Sequence, residues 1–177
     1  ATDKAFFMGL IILKLNEFRM SEGSMNQKLR HVTVIEEAHN LLKRTSTEQG
    51  QESANLIGKS VEMITNAIAE MRAFGEGFVI ADHAPNLLDE AVIRNTNTKI
   101  VLRLPDADDR IIVGKACSLS DKQIDEIGKL PDHTAVVYQN DWIEAVLCYF
   151  DDFTEVSGYN RSDSTNHDIK ATDTSKY

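Results

Sequence analysis

Two cysteines, Cys117 and Cys148, are all that the chain holds. So separated a pair makes neither a disulfide framework nor a cysteine zinc site, and a reduced, cytoplasmic setting is the default expectation. Long apolar runs are missing as well. The stretch Ala5 to Leu13 is too short to span a bilayer, is interrupted by Gly9, and passes into the polar Lys14-Leu-Asn-Glu-Phe-Arg19. No basic leader precedes it, so neither a signal peptide nor a membrane partner is expected. Positive charge is scarce: 19 Lys and Arg stand against 28 Asp and Glu, a net charge of -9. That argues against a chain that coats nucleic acid through its whole surface, because phosphate neutralisation needs clustered cations. There is no internal repeat, no heptad array, no Gly-x-Ser-x-Gly elbow and no His-Glu-x-x-His zinc motif.

A phosphate-binding loop is also missing. Its nearest imitation, Ile57-Gly-Lys-Ser60, has Ser53 where the first glycine belongs and follows a polar stretch rather than a buried strand. Apolar residues Ile57, Val61, Ile64, Ile68 and Met71 recur straight through it at helical spacing. It therefore reads as part of an amphipathic helix of about 20 residues that ends near Gly75.

What is present centres on His31-Val-Thr-Val-Ile-Glu-Glu-Ala-His-Asn-Leu-Leu42. Val32 to Ile35 suit a buried strand, and Glu36 and Glu37 follow at its carboxyl end, where open α/β sheets place their ligands. In nucleoside triphosphatases the first of two such acids helps to hold magnesium and the second polarises the attacking water. Glu36 fits the first role and Glu37 the second. A strand that merely ends in charged residues would look the same locally.

The remaining elements follow from pattern. Thr2 to Met20 reads as a core helix, with Phe7, Leu10, Ile11, Leu15 and Phe18 on its apolar side. Lys43 to Glu52 has no apolar residue and reads as an exposed, mobile loop. Gly77 to Ala81 and Lys99 to Leu104 are expected strands, with a short helix from Asn86 to Arg94 between them. Helices are expected from Asp106 to Cys117, capped by Asp106, and from Ser120 to Lys129, with Gln123 completing a capping box. Thr134 to Gln139 and Trp142 to Tyr149 flank Asn140-Asp141 as a hairpin. From Thr154 onward Ser, Thr, Asn and Asp dominate, and the tail reads as disordered. At 177 residues one α/β domain with a sizeable core is expected.

Three segments taken together, Val34 to Leu42, Met71-Arg-Ala-Phe-Gly-Glu-Gly-Phe-Val-Ile-Ala-Asp-His-Ala-Pro85, and Asn95 to Leu104, resemble the HerA/FtsK superfamily of ring-forming ATPases in order and spacing. The likeness runs from about Phe6 to about Phe150. It implies a partial P-loop NTPase fold of the RecA-like type: a mostly parallel sheet flanked by helices, with a C-terminal β-hairpin. Residues 1–153 would be the carboxyl-terminal half of the ATPase domain, lacking the Walker A loop, and 154–177 the tail.

The resemblance also implies roles. Glu36 stands where the family has Asp, keeping the charge on a longer side chain, and would hold magnesium as the Walker B acid. Glu37 would be the catalytic base. Arg72 matches an arginine finger that reaches the neighbouring subunit's nucleotide. His83 replaces the Gln that senses the γ-phosphate. Imidazole donates a hydrogen bond as an amide does and also titrates near neutral pH, so pH-dependent sensing is implied. Arg103 must sit at a strand end or pair with an acid, and is a candidate nucleotide contact. The full-length parent would use ATP and magnesium, assemble with copies of itself as a hexameric ring, translocate or unwind double-stranded DNA, and work beside a nuclease. The isolated chain would be inactive.

Two other readings use the same residues. One is a non-catalytic interaction or regulatory module on a degenerate P-loop fold. The other is a metallo-hydrolase built from Glu36, Glu37, His39, Asp82 and His83, which the absent zinc spacing disfavours. In that comparison His39 is expected to orient the helix after the strand.

Overall fold

The computed structural model describes residues 2–44 and 51–151, with the backbone alone for 2–3 and 51–57. The expected tail lies outside the described residues, as does most of the expected loop from Lys43 to Glu52. The architecture is α/β, with one two-stranded and one three-stranded sheet among the helices of the described residues.

The first half holds α1 (Thr2–Ser21), β1 (His31–Glu36), α2 (Gln51–Met71) and β2 (Glu76–Ala81). β1 and β2 pair in parallel, His31 opposite Glu76 through Glu36 opposite Ala81. Parallel strands need a crossover, and α2 supplies it. The Ile57-Gly-Lys-Ser60 segment lies within this helix, as its periodicity predicts. Val61, Ile64, Ala67 and Met71 are buried. Full burial of a side chain such as Met71 or Leu42 contributes about 1.5–3 kcal/mol.

After α2 a 3-10 turn, Arg72–Phe74, hands over to Gly75 at φ 82. That left-handed position needs glycine twice over, because a Cβ there would lie 2.4 Å from the Lys28 carbonyl oxygen. β2 begins at the next residue.

The second half holds α3 (Glu90–Asn95), β3 (Thr98–Val101), α4 (Ala107–Ala116), α5 (Asp121–Ile127), β4 (Thr134–Gln139) and β5 (Val146–Tyr149). β3, β4 and β5 form an antiparallel sheet in that order. Asp106 caps α4 by accepting from the Asp108 and Asp109 amides, and Ser120 with Gln123 forms the capping box of α5. The turn expected at Asn140-Asp141 is present, closed by Trp142 N–H donating to Gln139 O at 2.9 Å. The returning strand starts only at Val146, so the hairpin has a longer loop than its turn signal suggests.

Two apolar clusters result. Ile12, Ile35, Leu41, Leu42, Ile64, Met71 and Val92 centre the first, and Val101, Cys117, Ile127, Val136 and Tyr138 the second. α4 bridges them: Ile112 and Ala116 pack on the first, and Val113, with Cys117 just past the helix end, on the second.

One expectation is corrected by α1. Phe7, Leu10, Ile11 and Phe18 are exposed, and the helix buries Gly9 and Ile12 instead, with Met8 and Leu15 partly covered. The helix is apolar nearly all round, and its packing partner, α2, covers one side. The parallel pair shows the same asymmetry. Thr33, Ile35, Phe78 and Ile80 turn toward the helices, while Val32, Val34 and Val79 stand 44%, 64% and 50% exposed on the other face. Parallel sheets are normally covered on both faces.

No helix among the described residues is long and apolar enough to cross a membrane.

Candidate functional site

β1 ends at Glu36, directly opposite Ala81, the last residue of β2. The alternation of a strand puts Glu36 on the open face with Val32 and Val34. Its carboxylate is exposed, and among the described residues no hydrogen bond or ion pair engages it. Glu37 then leaves the strand at φ 55, ψ 49. A left-handed glutamate costs on the order of 1 kcal/mol. The turn is held by Asn40, whose backbone N–H and Nδ2 both donate to the Glu37 carbonyl at 3.0 Å.

β2 delivers Asp82 and His83 to the same end. Asp82 has a side chain only 3% exposed. It accepts from the backbone N–H of His39 at 2.7 Å, from that of Ala84 at 2.9 Å, and from His39 Nδ1 at 3.0 Å. Burial opposes ionisation there, but the hydrogen bonds from Ala84 and His39 outweigh it and hold the carboxyl below its ordinary range. An ionised carboxylate only accepts, so His39 Nδ1 carries the hydrogen of this bond.

Around this anchor three side chains converge. His83 Nδ1 lies 3.1 Å from Glu37 Oε1, and His39 Nδ1 lies 3.6 Å from Glu37 Oε2. The two imidazoles meet edge to face, with ring centroids 5.5 Å apart. His39 lies in the 3-10 turn after β1, and the partner that orients its ring is Asp82.

Arg72 and Arg103 stand elsewhere. Arg72 opens the 3-10 turn before β2, at the amino end of the strand, and is exposed. A six-residue strand separates it from His83, a span of roughly 20 Å. Among the described residues its side chain has no partner. Arg103 lies just past β3 and pairs loosely with Asp132 at 3.4 Å, both exposed, which meets both conditions placed on it. A groove of about 680 Å³ between α3 and α4, lined by Arg44, Glu90, Arg94 and Lys115 among others, includes none of the clustered residues.

The amino end of the parallel pair holds a second polar cluster that the sequence did not disclose. Glu76, with a side chain 0% exposed, accepts from Arg19 Nη2 at 3.0 Å, His31 Nδ1 at 2.6 Å and Thr33 Oγ1 at 2.7 Å. Burial alone would raise this carboxyl, but the hydrogen bonds from His31, Thr33 and Arg19 leave it lowered. The one trace in the sequence is an acid between a cap glycine and an apolar strand. Arg19 lies 57 residues away in the chain, beyond any local pattern.

No family model matches the sequence. The chain is 26% identical over 137 residues to the DNA double-strand break repair helicase HerA of Sulfolobus acidocaldarius, covering 77% of this chain and 26% of that protein. It thus spans about a quarter of the relative's length. Among solved structures, the genome packaging NTPase of Sulfolobus turreted icosahedral virus 2 in complex with AMPPCP aligns over 66% of this chain and 50% of its own, at 14% identity and a TM-score of 0.48. The DNA-packaging ATPase of Sulfolobus turreted icosahedral virus aligns over the same shares at 16% identity and a TM-score of 0.48. In sequence the chain is thus similar to HerA, in line with the resemblance of its motifs to the HerA/FtsK superfamily of ATPases.

Proposed function

We propose that this chain is the carboxyl-terminal half of a HerA-like ATPase domain, spanning residues 1–153, whose full-length parent couples ATP hydrolysis to movement along or unwinding of double-stranded DNA. The observation that carries the reading is that Glu36 and Glu37 on one strand, and Asp82 and His83 on the next, follow the same carboxyl edge of two parallel strands, with His83 in hydrogen-bond reach of Glu37. Open α/β sheets bind ligands at that edge.

Each residue takes one task. The free, exposed carboxylate of Glu36 suits a hard cation and would hold magnesium, which, when bound, neutralises charge on the phosphate oxygens. Glu37 would orient water and accept its proton. His83, within hydrogen-bond reach of Glu37, would report the γ-phosphate by donating to it. Arg72 is too far from this edge to serve it within one chain, which supports a finger acting across a subunit boundary in a hexameric ring. Arg103 would contact nucleotide from the end of β3.

The open faces of β1, β2 and α1 support the same picture. In a complete domain they would be covered by the strand and helix that carry the phosphate-binding loop. A cytoplasmic setting and a nuclease partner belong to this reading as well. The test is magnesium-dependent ATP turnover by the full-length parent, stimulated by duplex DNA and weakened by salt. The 177-residue chain alone is expected to show none, since nothing in it wraps the β-phosphate. Hydrolysis by the purified chain would contradict the assignment.

A further inference from the structure

We propose that Glu37, His39 and His83 form a binding site for one divalent transition-metal cation of the zinc class. One donor atom from each of the three lies within 4.8 Å of the other two. Ligands around a tetrahedral zinc, at about 2.0–2.1 Å from the metal, stand roughly 3.4 Å from one another. The Glu37 Oε1 to His83 Nδ1 separation is already 3.1 Å. His39 nears Glu37 Oε2 at 3.6 Å through Nδ1, the nitrogen held by Asp82, so rotation of the Glu37 and His83 side chains about the fixed His39 ring brings them to its Nε2. His83 and Glu37 are free to rotate, their side chains being 71% and 42% exposed.

The donor chemistry selects the cation. Two imidazoles and one carboxylate are a nitrogen-rich set that suits zinc, cobalt or nickel and ill suits magnesium or calcium, which demand oxygen. Two histidines and a glutamate leave a fourth position for water, the composition of an open zinc site.

Asp82 is the independent sign that this is a built arrangement. It is nearly inaccessible, it is anchored by the His39 and Ala84 amides, and it takes the Nδ1 hydrogen of His39. Metal-binding imidazoles are oriented in this way, with a carboxylate behind one nitrogen and the other nitrogen facing the ion. Binding would displace the hydrogen that His83 Nδ1 shares with Glu37, releasing one proton to solvent or leaving it on the far ring nitrogen. A cation held there also takes Glu37 away from water and so silences hydrolysis; this consequence alone rests on the proposed role of Glu37.

The test is calorimetric titration of the full chain with zinc, without nucleotide, beside titration with cobalt(II) followed by its visible absorption. One saturable equivalent is expected, with the cobalt spectrum of a low-coordinate site. His83→Gln and Glu37→Gln should each weaken zinc at least about tenfold. His133→Asn, on the antiparallel sheet, should leave the affinity unchanged and controls for stray imidazole binding. A hundredfold excess of magnesium should not displace zinc. Absence of a saturable phase, unchanged affinity in both site variants, or displacement by magnesium would each overturn the site. Because no nucleotide is present, these outcomes are independent of whether the parent hydrolyses ATP.

Discussion

His83 Nδ1 stands 3.1 Å from Glu37 Oε1, so the residues that follow two adjacent parallel strands are hydrogen-bonded across the strand ends. If His83 does the work of the amide that the family places there, His83→Gln in the full-length parent should keep ATP turnover within a few-fold. His83→Ala removes the donor and should lower turnover by about 10². Steady-state turnover of the two variants side by side makes the check, and equal losses in both would exclude a sensing role.

Asp82 fixes the turn after β1 by accepting three hydrogen bonds, two of them from backbone amides. Asp82→Asn keeps the shape but turns one acceptor into a donor facing N–H groups, and should cost about 2 kcal/mol. For a chain of this size that corresponds to a fall in Tm of about 4–8 °C, readable by thermal denaturation.

Acid sensitivity should trace to Asp82 and Glu76, whose carboxyls are both lowered in the folded state. A lowered folded-state pKa gives stability that is fully present above the ordinary carboxylate range. It is lost as pH falls through the folded value. Glu76→Gln leaves Arg19 without its buried partner and should cost about 3 kcal/mol at neutral pH. Its unfolding midpoint should also fall less steeply on acidification below about pH 4 than that of the unaltered chain. A parallel pH dependence in the two proteins would remove Glu76 from this account.

Arg72 lies at the strand end opposite His83, exposed and without a partner among the described residues. Arg72→Ala should leave the stability of the chain within about 0.5 kcal/mol. In the parent it should reduce turnover by roughly 10³. Rings mixed from Arg72→Ala and Glu37→Gln subunits should recover activity, because some interfaces then join an intact glutamate to an intact arginine. Failure of such mixtures to exceed either parent variant would argue against action across subunits.

Much of this fold is legible one segment at a time. The β-branched run Val32 to Ile35 marks β1, the three- and four-residue spacing from Val61 to Met71 marks α2, and Asp106 and Ser120 with Gln123 mark two helix starts that the hydrogen bonds bear out. Each signal is local, decided within one turn or one strand. What stays hidden is set by partners distant in sequence. Apolar residues lie on every side of α1 and so carry no phase, and burial of Ile12 rather than Phe7 or Ile11 depends on where α2 lies. The Glu76 cluster needs Arg19, His31 and Thr33 from two other elements. At the candidate site Glu36 and Glu37 stand out as neighbours in sequence, and His39 and His83 can be named individually. Their convergence on Glu37, with Asp82 behind, follows from the parallel register that sets Glu36 opposite Ala81.

The most direct test of the central claim is ATP turnover by the full-length parent carrying Glu37→Gln, measured together with nucleotide binding. A loss of roughly 10² or more in turnover, with ATP affinity retained, is the expected result, because the amide keeps the shape and loses the proton acceptor. Turnover equal to that of the unaltered protein would show that Glu37 is not the base.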